Sequence, residues 1–264
     1  MLFLIKLIVL SLVQGVGEIL PISSSGHLIV LSKLFSIDDS NIDIEIMLHL
    51  ASLVALLVYY FDFIKGIIKG VFSYVFKSDK TKYREWSYFI SIVIASIPTC
   101  IIGLILNSYL SFLTSYIGIL LVINGLLLLI KRDYNDTKNI EDLTMLDKFK
   151  IGLIQSIGVI PGISRSGSSL LGCNQVKLNK EDSFNLTFLL LFPLVIGSLV
   201  LNISDFNFDK ILLIPYIISF LLTTLVTYFS LALLHSLVAR GKSKIFGWYC
   251  VSVGTIYSII LLVI

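Results

Sequence analysis

An all-α polytopic membrane protein, built as two inverted-topology repeats with six full spans and two re-entrant helical hairpins, is the fold class this sequence predicts. Three observations predict it. The first is composition: 264 residues are 56% hydrophobic and 14% charged, with a mean hydropathy of +0.96, whereas soluble domains carry roughly 25% charged residues. The second is a motif that returns 141 residues downstream without a gap, Gln14–His27 (QGVGEILPISSSGH) and Gln155–Ser169 (QSIGVIPGISRSGSS). The third is a one-sided distribution of basic residues among the loops.

Taken in order, residues 1–13 and 24–36 are each too short to cross a hydrocarbon core, which takes roughly 20 helical residues. Between them lie Gly15, Gly17, Pro21 and a serine cluster, which should break a helix. A half-helix in, a turn near mid-depth and a half-helix out is the economical reading. Such irregular backbone is tolerated only inside protein or a water-filled cavity. One kinked span is the alternative. Full spans are expected over about Ile46–Phe61, Tyr88–Leu106 and Tyr116–Ile130. A second hairpin covers about Phe149–Val176, and further spans cover Leu186–Leu201, Ile211–Leu234 and Ile245–Ile264. Phe63–Phe76, with Lys65 and Lys69 among apolar residues, is expected along the interface. Residues 1–264 then form a single membrane domain, with repeat one over about 1–131 and repeat two over about 148–264.

Loop charges test this layout. Lys65, Lys69, Lys77, Lys80, Lys82 and Arg84 fall in one loop. Lys131, Arg132, Lys138, Lys148 and Lys150 fall in the next, and Arg240, Lys242 and Lys244 in a third. Lys177 and Lys180 join that side if the second hairpin is re-entrant. The opposite loops hold only Lys33 and Lys210, but six acids: Asp38, Asp39, Asp43, Glu45, Asp205 and Asp209. Sixteen cations against two place the basic side in the cytoplasm. Three spans after each hairpin invert the two units, and sites in such folds lie near the midplane on broken helices. The first hairpin then opens to the outer face of the cell membrane.

The two motif copies look complementary. Where they differ, Glu18 faces Val159, Ser24 faces Arg165 and His27 faces Ser168. One carries the acid and the imidazole, the other the guanidinium. Ser23, Ser25 and Gly26, with Ser164, Ser166 and Gly167, should form two helix N-termini whose free N–H groups and dipoles suit phosphate oxygens. Arg165 adds a planar fork with a permanent charge, and an intramembrane arginine is a functional residue by default. A structural Arg165–Glu18 ion pair is the plainer alternative. Gln14 and Glu18, one turn apart, offer oxygens to a hard divalent cation; a carboxyl that merely joins the repeats is the alternative for Glu18. His27 is placed to act on a serine or a water, to attack phosphorus, or to protonate a leaving oxygen.

Other polar residues invite blander readings. His49 and His235 read as packing or interfacial groups near span ends. Asn107, Asn124, Asn185 and Thr187 read as helix-to-helix hydrogen-bonding residues. Cys100, Cys173 and Cys250 read as small core residues without metal spacing. The N-terminus lacks a cleavable-signal pattern, and no nucleotide loop, zinc spacing or nucleic-acid footprint is present.

Gln14-x-x-x-Glu18, Pro21-Ile-Ser-Ser-Ser-Gly-His27 and Pro161-Gly-Ile-Ser-Arg-Ser-Gly167 resemble the signatures of the undecaprenyl-diphosphate phosphatases of the bacitracin-resistance type. Length, motif order and intervening apolar spans agree, so the resemblance covers nearly the whole chain. It implies a membrane enzyme that removes the terminal phosphate of a polyprenyl diphosphate lipid substrate and returns the monophosphate to cell-envelope glycan synthesis. It implies that Glu18, His27 and Arg165 are essential, that Ser24 acts in catalysis, and that a divalent cation, Mg2+ or Ca2+, is required. A homodimer is a family-level inference that no residue here specifies. Departures are modest: Gly17 stands where threonine is common, Ile19 where phenylalanine is common, and Ser169 where threonine is usual. Glutamine at position 14 leaves fewer carboxylates for metal.

Lipid phosphatases of the phosphatidic-acid type also carry Ser-Gly-His and Ser-Arg motifs, but their last motif continues to a histidine and an aspartate. Arg165 is followed by SGSSLLGCNQVKLNKED, without histidine. A polyprenyl-phosphate flippase or secondary transporter using the same midplane site is the competing class, because inverted repeats are common among transporters. Whether a serine, a histidine or a water attacks is left open by the sequence.

Overall fold

A computed structural model describes residues 2–37, 42–130, 138–202, 213–239 and 244–263. Among these residues there is no strand beyond an isolated pairing of Lys138 with Leu178, and the chain is helical almost throughout. The first half comprises α1 (Leu2–Gly17), α2 (Ser24–Leu34), α3 (Ile42–Tyr59), α4 (Phe61–Phe76), α5 (Tyr83–Leu106), the short α6 (Leu110–Thr114) and α7 (Ile117–Leu129). The second comprises α8 (Met145–Gln155), α9 (Arg165–Gln175), α10 (Lys180–Leu189), α11 (Leu191–Asn202), α12 (Leu213–Ala239) and α13 (Lys244–Val263). Helix α9 begins 141 residues after α2, the same offset as the sequence motifs.

The side chains are arranged with apolar groups outside and many polar groups inside. On α12, Leu221, Leu225 and Phe229 are exposed, while Ser219, Thr223 and Thr227 are fully buried. Ser52 Oγ lies 3.1 Å from Thr227 Oγ1, and Thr224 Oγ1 donates to the Ala51 carbonyl at 3.1 Å, so hydroxyls tie α3 to α12. In water that exposed apolar face would be unfavourable; in lipid it is the solvated one, and helices associate through small and polar residues. The protein is therefore an all-α polytopic membrane protein.

Small residues set the closest helix contacts. A Cβ on Gly125 would come 2.6 Å from the Gly247 carbonyl oxygen, and one on Gly254 would come 2.6 Å from that of Gly118. The partner numbers fall as the position rises, so α7 and α13 run antiparallel with backbones nearly touching. Helix α1 packs on α12, and α8 packs on α5. Pro98 sits within α5, where the Ser96 hydroxyl donates to the Ile92 carbonyl at 2.7 Å and that of Thr99 to the Gly152 carbonyl at 3.2 Å. Neighbouring hydroxyls and helices of this kind make proline tolerable in a membrane helix.

Several expectations change in detail. Helix α1 does not stop at Val13 but continues to Gly17, with Glu18 N–H still bonded to the Gln14 carbonyl at 2.9 Å. Gly15 is a packing residue rather than a breaker, because a Cβ there would lie 2.8 Å from the Val226 side chain of α12. The break comes at residues 18–23. Helix α3 turns by 75° into α4 at Tyr60, so Phe63–Phe76 is a separate helix. The expected Leu186–Leu201 span starts at Lys180 and is interrupted at Leu190.

Among the described residues, four helical stretches, Lys80–Thr114, Lys180–Val200, Leu213–Leu234 and Lys244–Leu261, are long and apolar enough to cross a membrane, five if the bent α3–α4 pair counts as one. Helix α7, at 13 residues, is shorter than the roughly 20 a span takes. Cys173 and Cys250 are buried as expected, but Cys100 is exposed on the outer face of α5 beside Ile97 and Ile101. The acids Asp38, Asp39, Asp205 and Asp209, the cations Lys131, Arg132, Arg240 and Lys242, the cation Lys210 and the side chain of His235 lie outside the described residues.

Candidate active site

The two motif turns meet tip to tip. A Cβ on Gly26 would lie 2.9 Å from Gly162 Cα, and one on Gly167 would lie 3.3 Å from Pro21 Cβ. Gly26 and Gly167 correspond in the 141-residue alignment, and so do Pro21 and Gly162, so the contact is reciprocal. Gly158 approaches its own helix start in the same manner as Gly17: added Cβ atoms would lie 2.6 Å from Arg165 Cα and 3.0 Å from Ser24 Cα. A side chain at Gly26 or Gly158 would collide with the backbone of Gly162 or Arg165, whereas one at Gly17 or Gly167 would require its neighbours to yield slightly.

Each turn ends in a capped helix. Ser23 Oγ accepts from Gly26 N–H at 3.2 Å at the start of α2, and Ser164 Oγ accepts from Gly167 N–H at 3.1 Å at the start of α9. The remaining first-turn N–H groups of both helices are left for a ligand, with the positive ends of two dipoles behind them. The backbones differ in one respect. Ser23 is held at φ 70°, ψ 89°, in the left-handed region, whereas Ser164 is extended and Gly162 carries the positive φ of its turn, 89°. A non-glycine residue in that conformation costs about 1–3 kcal/mol and persists only where its surroundings impose it.

A small, partly open cleft lies between the turns. Gly17, Glu18, Ser23, Ser24 and Ser25 line one side and Gly158, Ile163, Ser164, Arg165 and Ser166 the other. Seven of the side chains expected at the site therefore do converge: Glu18, Ser23, Ser24, Ser25, Ser164, Arg165 and Ser166. Glu18 is the hub. Its Oε2 accepts from Ser24 Oγ at 2.6 Å and from Gln14 Nε2 at 3.1 Å. Arg165 Nη1 stands 4.0 Å from Glu18 Oε1 and makes no hydrogen bond although it is buried. At that separation the pair is too long for a hydrogen bond, so the guanidinium of Arg165, a residue that lines the cleft, keeps donor capacity for an anionic oxygen.

Gln14 sits one turn behind Glu18 and is fully buried, with Oε1 unpartnered. A buried amide oxygen beside a carboxylate is a place for a cation, and the hard-oxygen donor set of Glu18 and Gln14 fits Mg2+ or Ca2+ in kind. The described residues contain no cluster of three or more His, Cys, Asp or Glu side chains, so such an ion would take its other ligands from substrate and water. Gln155, the counterpart of Gln14, bonds instead to Thr99 Oγ1 (3.1 Å) and Ser169 Oγ (2.7 Å). With Val159 at the position of Glu18, the second turn offers no carboxylate to a metal.

His27 lies behind the serines rather than along the cleft. Its Nδ1 is 2.8 Å from the Ser23 carbonyl and its Nε2 is 3.1 Å from the Tyr249 hydroxyl. The expected reach to a serine hydroxyl is thus a contact with the serine backbone, because a residue four positions into a helix faces the carbonyl of its N-cap.

Three residues were missed as members of the site. His49, expected as a packing group, projects from α3 to place Nδ1 3.2 Å from Gln14 Nε2 and Nε2 3.8 Å from Glu18 Oε2. Asn124, expected to join helices in a general way, ties the two turns: Nδ2 donates to the Pro21 carbonyl at 3.2 Å and Oδ1 accepts from Ser164 N–H at 2.9 Å. A lone asparagine within a Leu/Ile run was the available signal. Tyr249, on α13, carried none.

Comparison with known proteins identifies the family. The chain matches the family model described as bacitracin resistance protein BacA over residues 7–256. It is 35% identical over 266 residues, 98% of each chain, to undecaprenyl-diphosphatase 2 of Bacillus thuringiensis (strain Al Hakam). It is 33% identical to the undecaprenyl-diphosphatase of Oceanobacillus iheyensis, over 96% of this chain and 95% of the relative. It is 34% identical to that of Carboxydothermus hydrogenoformans, over 92% and 91%. With a family model matched over residues 7–256 and near full-length similarity to these relatives, this chain belongs to the bacitracin resistance protein BacA family.

Proposed function

We propose that the chain is an undecaprenyl-diphosphate phosphatase, hydrolysing the lipid diphosphate to undecaprenyl phosphate and inorganic phosphate and so recycling the carrier for cell-envelope glycan synthesis. The family and the names of its relatives support the activity. The observation that carries the chemistry is the 2.6 Å hydrogen bond from Ser24 Oγ to Glu18 in a cleft that Arg165 shares.

In this reading Arg165 and the first-turn N–H groups of α2 and α9 hold the phosphate oxygens and stabilise charge as it develops. Ser24 Oγ attacks the terminal phosphorus and passes its proton to Glu18. The bond from that phosphorus to the bridging oxygen breaks, and the polyprenyl monophosphate leaves with the proton held by Glu18, which restores the carboxylate. Water then attacks the phosphoserine, Glu18 takes its proton, and the Ser24 oxygen is reprotonated as phosphate departs. His27 holds the Ser23 carbonyl and His49 holds Gln14, so both act on the geometry of the turn. A divalent cation at Glu18 and Gln14 would supply charge neutralisation to the diphosphate.

The same reading puts the protein in the cell membrane as two inverted repeats with six crossings and two re-entrant hairpins, the basic loops cytoplasmic and the Glu18 hairpin opening outward. Exchanged packing supports it: α1 rests on α12 of the other half as α8 rests on α5, and the turns contact reciprocally through Gly26 with Gly162 and Gly167 with Pro21. That symmetry also suits alternating access, which keeps lipid translocation as a second reading.

Phosphate release from undecaprenyl diphosphate by purified protein, with and without chelator, tests the proposal. Release strongly slowed in Glu18→Gln and Arg165→Ala is expected. Lipid translocation in vesicles with no phosphate release would favour the transporter.

A further inference from the structure

Tyr249 is placed where nothing in the motifs would put a working residue, 222 positions from His27 and on the last described helix. Its ring is stacked on the His27 imidazole, centroids 5.5 Å apart and planes 9° from parallel. Its hydroxyl lies 3.1 Å from His27 Nε2. His27 Nδ1 faces the Ser23 carbonyl oxygen, which can only accept, so Nδ1 carries a proton. In the neutral ring Nε2 is then the acceptor, and the Tyr249 O–H donates to it.

The carbonyl gripped by His27 belongs to the one residue of the first turn held in a left-handed conformation, Ser23. Ser23 and Ser24 both line the cleft, and Ser24 carries the hydroxyl bonded to Glu18. The second turn makes its positive φ with Gly162, which needs no such restraint; its counterpart of His27 is Ser168, whose hydroxyl donates to the Ser164 carbonyl at 2.9 Å.

We propose that Tyr249 is a positioning residue: by stacking on His27 and bonding its Nε2, it fixes the ring that clamps the Ser23 carbonyl, and so aims the α2 N-terminus and Ser24 into the cleft. This rests on the phosphatase reading for its kinetic consequence, but not for its structural one. The line of contact runs from α13 through α2 to the turn, so the two halves of the chain cooperate in shaping one serine.

The test is Tyr249→Phe, which keeps the ring and removes the hydroxyl. Phosphate release should show kcat reduced about five- to tenfold, the worth of one neutral hydrogen bond, with KM within twofold. In a Ser23→Gly background, where glycine adopts the left-handed turn unaided, the same substitution should cost less than half as much in kcat. Unchanged kcat, or a loss confined to KM, would overturn the proposal, as would an undiminished cost beside glycine. A readout independent of turnover is the ¹⁵N spectrum of histidine-labelled protein, which has three histidines. The ring assigned to His27 by its loss in His27→Gln should be the Nδ1–H tautomer, with an Nε2 resonance that moves in Tyr249→Phe. An Nε2–H tautomer, or no movement, would refute the arrangement even if the variant were inactive. Activity lost in Glu18→Gln but untouched in Tyr249→Phe would reject this role alone and leave the phosphatase standing.

Discussion

Ser24 Oγ donates a 2.6 Å hydrogen bond to Glu18 Oε2 across the turn that separates α1 from α2, and both residues are buried. That contact joins a hydroxyl to a carboxylate that can accept its proton. It is the nearest approach in the cleft to an activated nucleophile.

Removing either partner should slow chemistry rather than binding. Ser24→Ala and Glu18→Gln are each expected to lower kcat by ~10²–10³, the usual cost of losing one group that acts in the transition state. Their double mutant should fall little further, because the two act as a unit. Acid-quenched reactions with ³²P-labelled diphosphate should leave label on wild-type protein and none on Ser24→Ala.

Arg165 presents an unbonded buried Nη1 at the cleft. Arg165→Lys keeps the charge but loses the planar fork, so it should retain less than a tenth of wild-type kcat/KM. Arg165→Ala should be lower still. Inorganic phosphate, as a competitive inhibitor, should weaken in the same order.

Asn124 is a stability residue for the site. Asn124→Leu leaves the buried Ser164 N–H and Pro21 carbonyl without this partner, at about 1–3 kcal/mol for an unsatisfied buried group. A drop of several degrees in the unfolding midpoint in detergent is expected, since 1 kcal/mol corresponds to roughly 2–4 °C in a chain of this size. Asn124→Asp, which retains an acceptor for Ser164, should lose less.

Gln14 tests the cation. Gln14→Glu restores a second carboxylate beside Glu18 and should bind Mg2+ or Ca2+ more tightly, read by direct calorimetric titration. Chelator should abolish turnover in both proteins, with more chelator needed for Gln14→Glu. A Gln14→Leu protein that titrates like wild type would remove this residue from the ion's surroundings.

Much of the site was legible because its parts are local. The serine caps, the glycines and the Glu18–Gln14 spacing all act within a few residues of one another, and helix geometry converts spacing into a shared face. Helix limits were less legible. Gly15 reads as a breaker by propensity, yet it is a contact surface for Val226, and only packing distinguishes the two. His49 and Tyr249 were invisible as site residues for a related reason. Each is an ordinary side chain on an apolar helix, and its partner lies 35 or 222 positions away.

What the sequence by itself determined is the chemistry on offer and the environment it works in: an apolar chain, two turn motifs, and an acid, an imidazole and a guanidinium divided between them. Tertiary structure decided which of these groups meet. It set Ser24 rather than His27 against Glu18, left Arg165 Nη1 4.0 Å from Glu18 and without a hydrogen bond, and turned His27 toward Ser23 and Tyr249. The reason is physical. Composition and periodicity depend on each residue's own solvation, whereas hydrogen bonds fall off within fractions of an ångström, and that scale is fixed only when the helices pack.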